Sequence, residues 1–552
     1  MAHVSDDVAD GRGCSGAGRG GDATMAAGPV HRRWRAASVA AYSVTASSVV
    51  AGAVLAGALV MSSAGVSAAG ERAPGERAAP ERPVPATGTK VPGLVSSTPE
   101  KVDTLKGALL NAYTHNPQLN SQRAVVRQTD EQVPQAMSGF KPSIAATAST
   151  GEQNSVTATK TPIPGTTLPP IYSNSPLNYS PNEATVQATQ NLFDGFQTLN
   201  RVRQAETNTS AARESLRVAE QTILQQAESS YMDLLRDGAL LELQRRNVEV
   251  LQEQLRQTHD RFKVGEVTRT DVAQTETQLA QGRATVLAAE AQYWRSYAAF
   301  RQNIGADPSE HLRPGSPVDT LTPQRLIDAI EIARARHPSV GAAQFGIDAA
   351  VLQVKVTEGS LYPQAALVVG AQEIWEPDPP TILRQFNAFV KAQVTVPIYN
   401  AGPAGAQDTF SAIRAAKEGV AKVRLDLDAT RDLVQSNVVT AWGQLESAKA
   451  QIRATETQVA SAAIALDGIR EEAKVGQRTT FDILVAQQNL VNARTAVVTA
   501  QHDRIVASYL LLAAVGELNL PKLGINHPLY DPMIHYQQVR DAWIGVRIPD
   551  GR

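Results

Sequence analysis

The sequence predicts a mostly α-helical protein of two structural repeats, with long antiparallel coiled-coil helices and a small β part of four strands. Three observations predict it. Leu234, Leu241, Val248, Leu255 and Phe262 recur at steps of seven, and adding 211 to each index lands on Leu445, Ile452, Val459, Leu466 and Ala473. A sustained heptad keeps apolar knobs facing a partner helix. No proline lies between Phe196 and Val264, so one helix can run unbroken there. At ~1.5 Å per residue such a helix reaches roughly 100 Å, several times the ~30 Å of a bilayer core. Finally, four short segments alternate apolar and polar residues, the period of a strand with one apolar face.

Composition bounds the function. The 552 residues carry a net charge of -2, which calls for no nucleic acid. Aromatics are only 5%, low for a large compact core. The one cysteine, Cys14, lies upstream of the targeting segment, so the mature chain has no disulfide, reactive thiol or iron–sulfur site. Residues 1–68 read as a leader and Sec-type signal peptide. His31-Arg32-Arg33-Trp34-Arg35 precedes an uncharged stretch from Ala36 to Gly70, and Val66-Ser67-Ala68 fits a small-residue cleavage site. The Gly-rich run before Met25 points to translation from Met25. A retained signal anchor is the alternative. No cysteine follows the apolar run, so a lipid-anchored N-terminus is not expected. Residues 69–98 form a Pro-rich linker, with Pro74, Pro80, Pro83, Pro85 and Pro92 blocking helix.

Repeat 1 spans 99–322 and repeat 2 spans 323–518. Their first helical patterns run from Pro99 to Gly139 and from Pro323 to Gly359. The offset here is 221, matching Leu105 to Leu326, Pro117 to Pro338 and Pro142 to Pro363. The two interior prolines should interrupt their helices; the nearby His115 and His337 read as caps or solvent-facing residues. Strands follow at about 143–151 and 183–193 in repeat 1, and at 364–375 and 385–396 in repeat 2. The last alternates best: Phe386, Ala388, Val390, Ala392, Val394 and Val396 take one face, and only Phe389 breaks the polar one. Such alternation suits a membrane barrel strand, apolar to lipid and polar to lumen, with a soluble hairpin as the alternative. Glu152 to Asn182 and Glu376 to Arg384 read as exposed loops. Each second strand runs through a turn into the long helix, Asp194-Gly195 and Asn400-Ala401-Gly402, where Asp194 and Asn400 can cap and glycine permits the reversal.

The long helices are expected over 195–262 and 403–473. Tips follow at 263–267 (Lys263, Val264, Gly265) and 474–478 (Lys474, Val475, Gly476), with return helices over 268–304 and 479–516, closed by Gly305 and Gly516. Both return helices open on Thr-x-x-Asp (Thr268 to Asp271, Thr479 to Asp482), the pattern of a capping box. Residues 519–552 read as an irregular C-terminal tail packed around the middle of the rod. Four strands cannot close a barrel with a wet lumen, since about eight are needed for the smallest; unpaired edges are not tolerated in lipid, so the chain must oligomerise.

In order and duplicated spacing, Asn116-Pro117, Lys141-Pro142, Leu192-Phe193-Asp194-Gly195, Pro397-Ile398-Tyr399-Asn400-Ala401-Gly402 and Val475-Gly476-Gln477-Arg478-Thr479-Thr480-Phe481-Asp482 resemble the TolC-type outer-membrane channel family, over about Pro99 to Leu520. The resemblance implies a homotrimer in which four strands per protomer make one twelve-stranded transmembrane β-barrel above an α-helical periplasmic tunnel. It implies a passive exit duct for efflux or type I secretion, without cofactor or catalysis, in the cell outer membrane. A periplasmic adaptor and an inner-membrane pump, of the ABC or RND type, would be its partners. It further implies a tip gate in which Arg478 contacts Thr270-Asp271 and Asp482 forms an acidic ring. Ala473 stands where an aromatic is common in the family, and Val485 where some members have a second acid.

The G-x-G-x-x-G match at Gly11, Gly13 and Gly16 has no strand before it and carries no weight. No phosphate loop, metal motif or nucleophile–base set is found, so no enzyme is expected. The rival classes are a periplasmic coiled-coil adaptor, which would have one hairpin and small β domains, and a soluble coiled-coil scaffold.

Overall fold

The computed structural model describes residues 102–378, 382–398 and 408–549. The leader, the linker, Asn400, Gly402 and the expected helix start at Pro403 lie outside them. The first helical pattern divides at its prolines. Helices α1 (Leu105–His115), α2 (Pro117–Asp130) and α3 (Gln132–Met137) lead through a 3₁₀ turn to β1 (Ser143–Thr150). Thr104 caps α1 by accepting the Gly107 N–H, so the described helix begins later than the Pro99 expected from sequence. Pro117 occupies the first turn of α2, and the Asn116 side chain accepts the N–H groups of Gln118 and Leu119. The counterpart divides the same way into α6 (Leu326–Arg336) and α7 (Pro338–Gly359), with His337 as the cap.

Between β1 and β4 (Asn182–Phe193) the expected loop contains a hairpin, β2 (Gln153–Thr161) paired with β3 (Ile171–Tyr179). This corrects the reading of Glu152 to Asn182 as loop. Its strands are rich in Thr, Ser and Asn and exposed on both faces, so no apolar alternation marks them. β5 (Gln364–Asp378) and β6 (Ile382–Thr395) complete a separate four-stranded antiparallel sheet of order β1-β4-β5-β6. Its register aligns Ile144, Ala188, Val369 and Val390 in one row, and Ala146, Val186, Ala371 and Ala388 in the next on the same face. The opposite face carries the row Thr147, Thr185, Gln372 and Asn387. Phe389, the exception in the alternation, covers Gly370 directly across the ladder: a Cβ there would lie 2.7 Å from its ring. The apolar face is bare, with Ile144 74% and Val390 71% exposed.

The long helices are α4 (Gln197–Lys263) and α8 (Thr409–Lys474), of 67 and 66 residues, each about 100 Å at ~1.5 Å per residue. The described part of α8 starts at Thr409, capped by Asp408. α5 (Arg269–Ile304) returns along α4, and α9 (Thr480–Val515) along α8. The heptad residues Leu234, Leu241, Leu445 and Leu466 are buried in these seams, while Phe262 at the end of α4 is exposed. α7 packs against both long helices and joins the two halves. The main core gathers α1, α4, the end of α5 and part of α9; a second lies between α6, α8 and α9. Gly305 and Gly516, with φ 78° and 87°, end the return helices in the left-handed conformation. The tail is not wholly irregular: α10 (Pro532–Val539) docks on α2 through a buried His535–Asp130 pair at 3.0 Å. Among the described residues no helix is long and apolar enough to cross a membrane.

Candidate functional site: the helical tips and the strand-to-helix turn

Each long helix ends in the same hydrogen-bonded turn. Gly265 (φ 82°) donates to the Phe262 carbonyl at 3.0 Å and Glu266 to Arg261 at 2.9 Å; Gly476 (φ 79°) donates to Ala473 at 3.2 Å and Gln477 to Glu472 at 2.9 Å. These paired bonds satisfy the carbonyls that a helix end leaves open. No atom lies within 4 Å of where a Cβ would sit at either glycine, so the left-handed φ, not crowding, selects the residue. Lys263 and Lys474 lie in the last turns, where a cation suits the helix dipole, and pair with Asp260 at 2.9 Å and Glu471 at 2.7 Å. Val264 and Val475 are 72% and 71% exposed.

The return helices open on two full capping boxes. Asp271 Oδ2 accepts the Thr268 N–H at 2.8 Å, while Thr268 Oγ1 accepts the Asp271 N–H at 3.3 Å; the Thr479–Asp482 distances are 2.9 and 3.2 Å. The Thr268 hydroxyl and backbone N–H hold the Asp271 carboxyl below the usual carboxylate range, and the Thr479 backbone and hydroxyl do the same for Asp482. A carboxylate held low stabilises the folded helix start above its ordinary pKa and loses that effect as pH falls through the lowered value. Thr479→Ala is expected to cost ~1 kcal/mol of local helix stability. Amide exchange in the first turn of α9 should rise in this variant, and in the parent only under strong acid.

The tips differ in one charge arrangement. Arg261 on α4 pairs with Glu266 in the first tip at 3.0 Å, whereas Glu472, the counterpart of Arg261 on α8, pairs with Arg478 in the second at 2.8 Å. Arg478 thus engages Glu472, and Asp271 engages its own Thr268; no ion pair joins Arg478 to Asp271 within the chain. Thr270 lies in the first turn of α5 beside Asp271. The two hairpins meet just above the tips, where Gln278 of α5 donates to Gln488 of α9 at 3.1 Å. A groove of about 370 Å³ there is lined by Phe481, Leu484 and Val485 among others. Sequence reasoning missed this meeting and the reversed ion pairs. Adding 211 to Arg261 gives Glu472, a signal that was readable.

At the other end of α4, Asp194 Oδ2 accepts the Thr198 N–H at 2.6 Å and caps the helix. Gly195 has φ 68°, and a Cβ on it would lie 2.2 Å from the Gly359 carbonyl oxygen. A Cβ on Gly359 would in turn meet Gln197 Cγ at 2.5 Å. The matching turn with Asn400 and Gly402 is outside the described residues. No group of acids, histidines or cysteines able to hold a metal occurs among the described residues.

The model of the family described as "Outer membrane efflux protein" matches residues 109–306 and 329–517. The outer membrane efflux protein BepC of Brucella suis is 40% identical over 451 residues, covering 82% of this chain and 93% of that protein. The alkaline protease secretion protein AprF of Pseudomonas aeruginosa is 24% identical, covering 62% of this chain and 71% of that protein. The crystal structure of the Campylobacter jejuni CmeC outer membrane channel superposes with a TM-score of 0.62 at 15% identity, covering 79% of this chain and 89% of that one.

Proposed function

The chain belongs to the outer membrane efflux protein family, and on that premise we propose that three copies assemble one twelve-stranded barrel above a helical tunnel. In this reading the chain is a transport duct and not an enzyme: an outer-membrane exit for efflux or type I secretion. One observation carries the assembly. A four-stranded sheet has a mainly apolar face, a mainly polar face and no strand paired to the outer edge of β1 or β6 among the described residues, and it is joined to two coiled-coil hairpins whose long arms each reach about 100 Å. In lipid those edges need partners, and copies of the same sheet supply them. The apolar rows then meet lipid and the polar rows a wet lumen.

The periplasmic tips would serve as docking point and gate. An adaptor and an inner-membrane pump supply docking and energy, and export is Sec-dependent without a lipid anchor. The charge reversal between the tips supports the gate: a first tip with acidic Glu266 beside a second tip with basic Arg478 attracts its neighbour. Arg478 reaches Asp271 of the adjoining tip by leaving Glu472, and Asp482 contributes one acid per chain to the entrance. In planar bilayers Arg478→Ser should raise the open probability of single channels; unchanged conductance and opening would remove Arg478 from the gate. Asp482→Ala should reduce cation over anion preference, measured as reversal potential in a salt gradient. The 40% identity to an efflux protein, against 24% to a protease secretion protein, favours efflux over protein secretion.

A further inference from the structure

The C-terminal segment reaches the foot of the β-sheet and leaves its apolar residues bare. α10 is fixed by the buried His535–Asp130 pair, and Arg213 stacks 5.0 Å above the Tyr536 ring. Beyond α10, Lys141 Nζ donates to the Ala542 carbonyl at 2.8 Å and lies 5.0 Å from the Trp543 ring. Lys141 stands two residues before the first residue of β1. Trp543 is therefore level with the start of the sheet's apolar face. Past it, Ile544, Val546 and Ile548 are 95%, 102% and 79% exposed, with Arg547 between the last two.

Other exposed apolar residues share this level. Phe140 precedes β1, Phe196 follows β4, Tyr362 precedes β5 and Ile398 follows β6, and all are more than half exposed. Aromatic residues at strand ends form the girdle by which a barrel meets the membrane interface. We propose that Trp543–Ile548 is a membrane-interface anchor that lies on the phospholipid of the periplasmic leaflet. Trp543 sits at headgroup level, Ile544, Val546 and Ile548 enter the edge of the acyl region, and Lys141 and Arg547 face the phosphates. Lipid, rather than another copy, is favoured by continuity with the girdle and by the mixture of tryptophan, aliphatic and cationic residues. The anchor rests on the reading of the sheet as a membrane barrel.

The test uses the full chain with Cys14 replaced and one cysteine introduced as Val546→Cys, carrying a polarity-sensitive fluorophore. Val390→Cys on the sheet and Val264→Cys at the tip are the controls. In phosphatidylethanolamine–phosphatidylglycerol vesicles, emission at Val546→Cys should be blue-shifted. Lipids bearing a doxyl group near the headgroup should quench it comparably to Val390→Cys, while Val264→Cys responds only to aqueous iodide. Quenching by iodide alone at Val546→Cys, or shielding from both quenchers as if another copy covered it, overturns the anchor while Val390→Cys still reports lipid. Loss of lipid quenching at Val390→Cys as well overturns the barrel reading itself.

Discussion

Gly195→Val is expected to abolish the proposed oligomer. The turn from β4 to α4 has three residues, Asp194 to Phe196, and Gly195 and Phe196 both take positive φ, 68° and 63°. A β-branched side chain in that conformation costs about 1–3 kcal/mol by itself. The steric cost adds to it, since the new Cβ would fall 2.2 Å from the Gly359 carbonyl, a backbone atom. Gly359 cannot retreat freely, because its own Cα side already faces Gln197 and the Gly195 carbonyl. Together these reach about 3–5 kcal/mol, a large part of a marginal stability. Gly265→Ala and Gly476→Ala separate the two effects: they have the same sign of φ but open space, and should cost only about 1 kcal/mol each. Unheated gels and thermal melts of the extracted protein measure both. A Gly195→Val protein with the parent's oligomer would contradict the back-to-back glycine packing.

Glu228→Met is expected to stabilise the protein at pH 8 and to flatten its dependence on pH. Glu228 is fully buried on α4, and neither carboxylate oxygen has a hydrogen-bond partner. Burial first, and the negative charge of Asp233 second, push its carboxyl up to about 8. Tyr509 on α9 is raised by burial first and by the neighbouring Glu228 second. Because the folded value is raised, the stabilising effect is complete below the ordinary value near 4.5 and is lost as pH rises through about 8. Between these limits the unfolded chain has released its proton and the folded one has not. Stability then falls by up to ~1.4 kcal/mol per pH unit. Methionine removes the charge and both polar atoms while keeping similar volume. Midpoints of denaturant unfolding from pH 5 to 8 check this; equal slopes in parent and variant would contradict it.

The parts of the fold that repeat locally were legible. Heptads placed Leu234, Leu241, Leu445 and Leu466 in the seams, and period two placed Val390 and Val394 on the bare face of β6. What depends on distant partners was not. The β2–β3 hairpin escaped because its strands are polar on both faces. Gly195 could be read as a turn residue, but not as the neighbour of Gly359, which is 164 positions away. The buried Asp237, which accepts from Ser296 at 2.5 Å and Gln292 at 3.0 Å, also has partners on another helix. At the tips the Thr-x-x-Asp spacing gave the capping boxes directly, since a cap is local. The ion pairs of Arg478 depend on which carboxylate lies nearest, and within the chain that is Glu472 rather than Asp271.

In the proposed assembly this sheet is one third of a closed membrane barrel. The most direct test is the native mass of the complex extracted from purified outer membranes. Three copies of the mature chain are expected, with single chains appearing only after heating. A monomer, or a protein recovered only from the soluble or inner-membrane fraction, would contradict it.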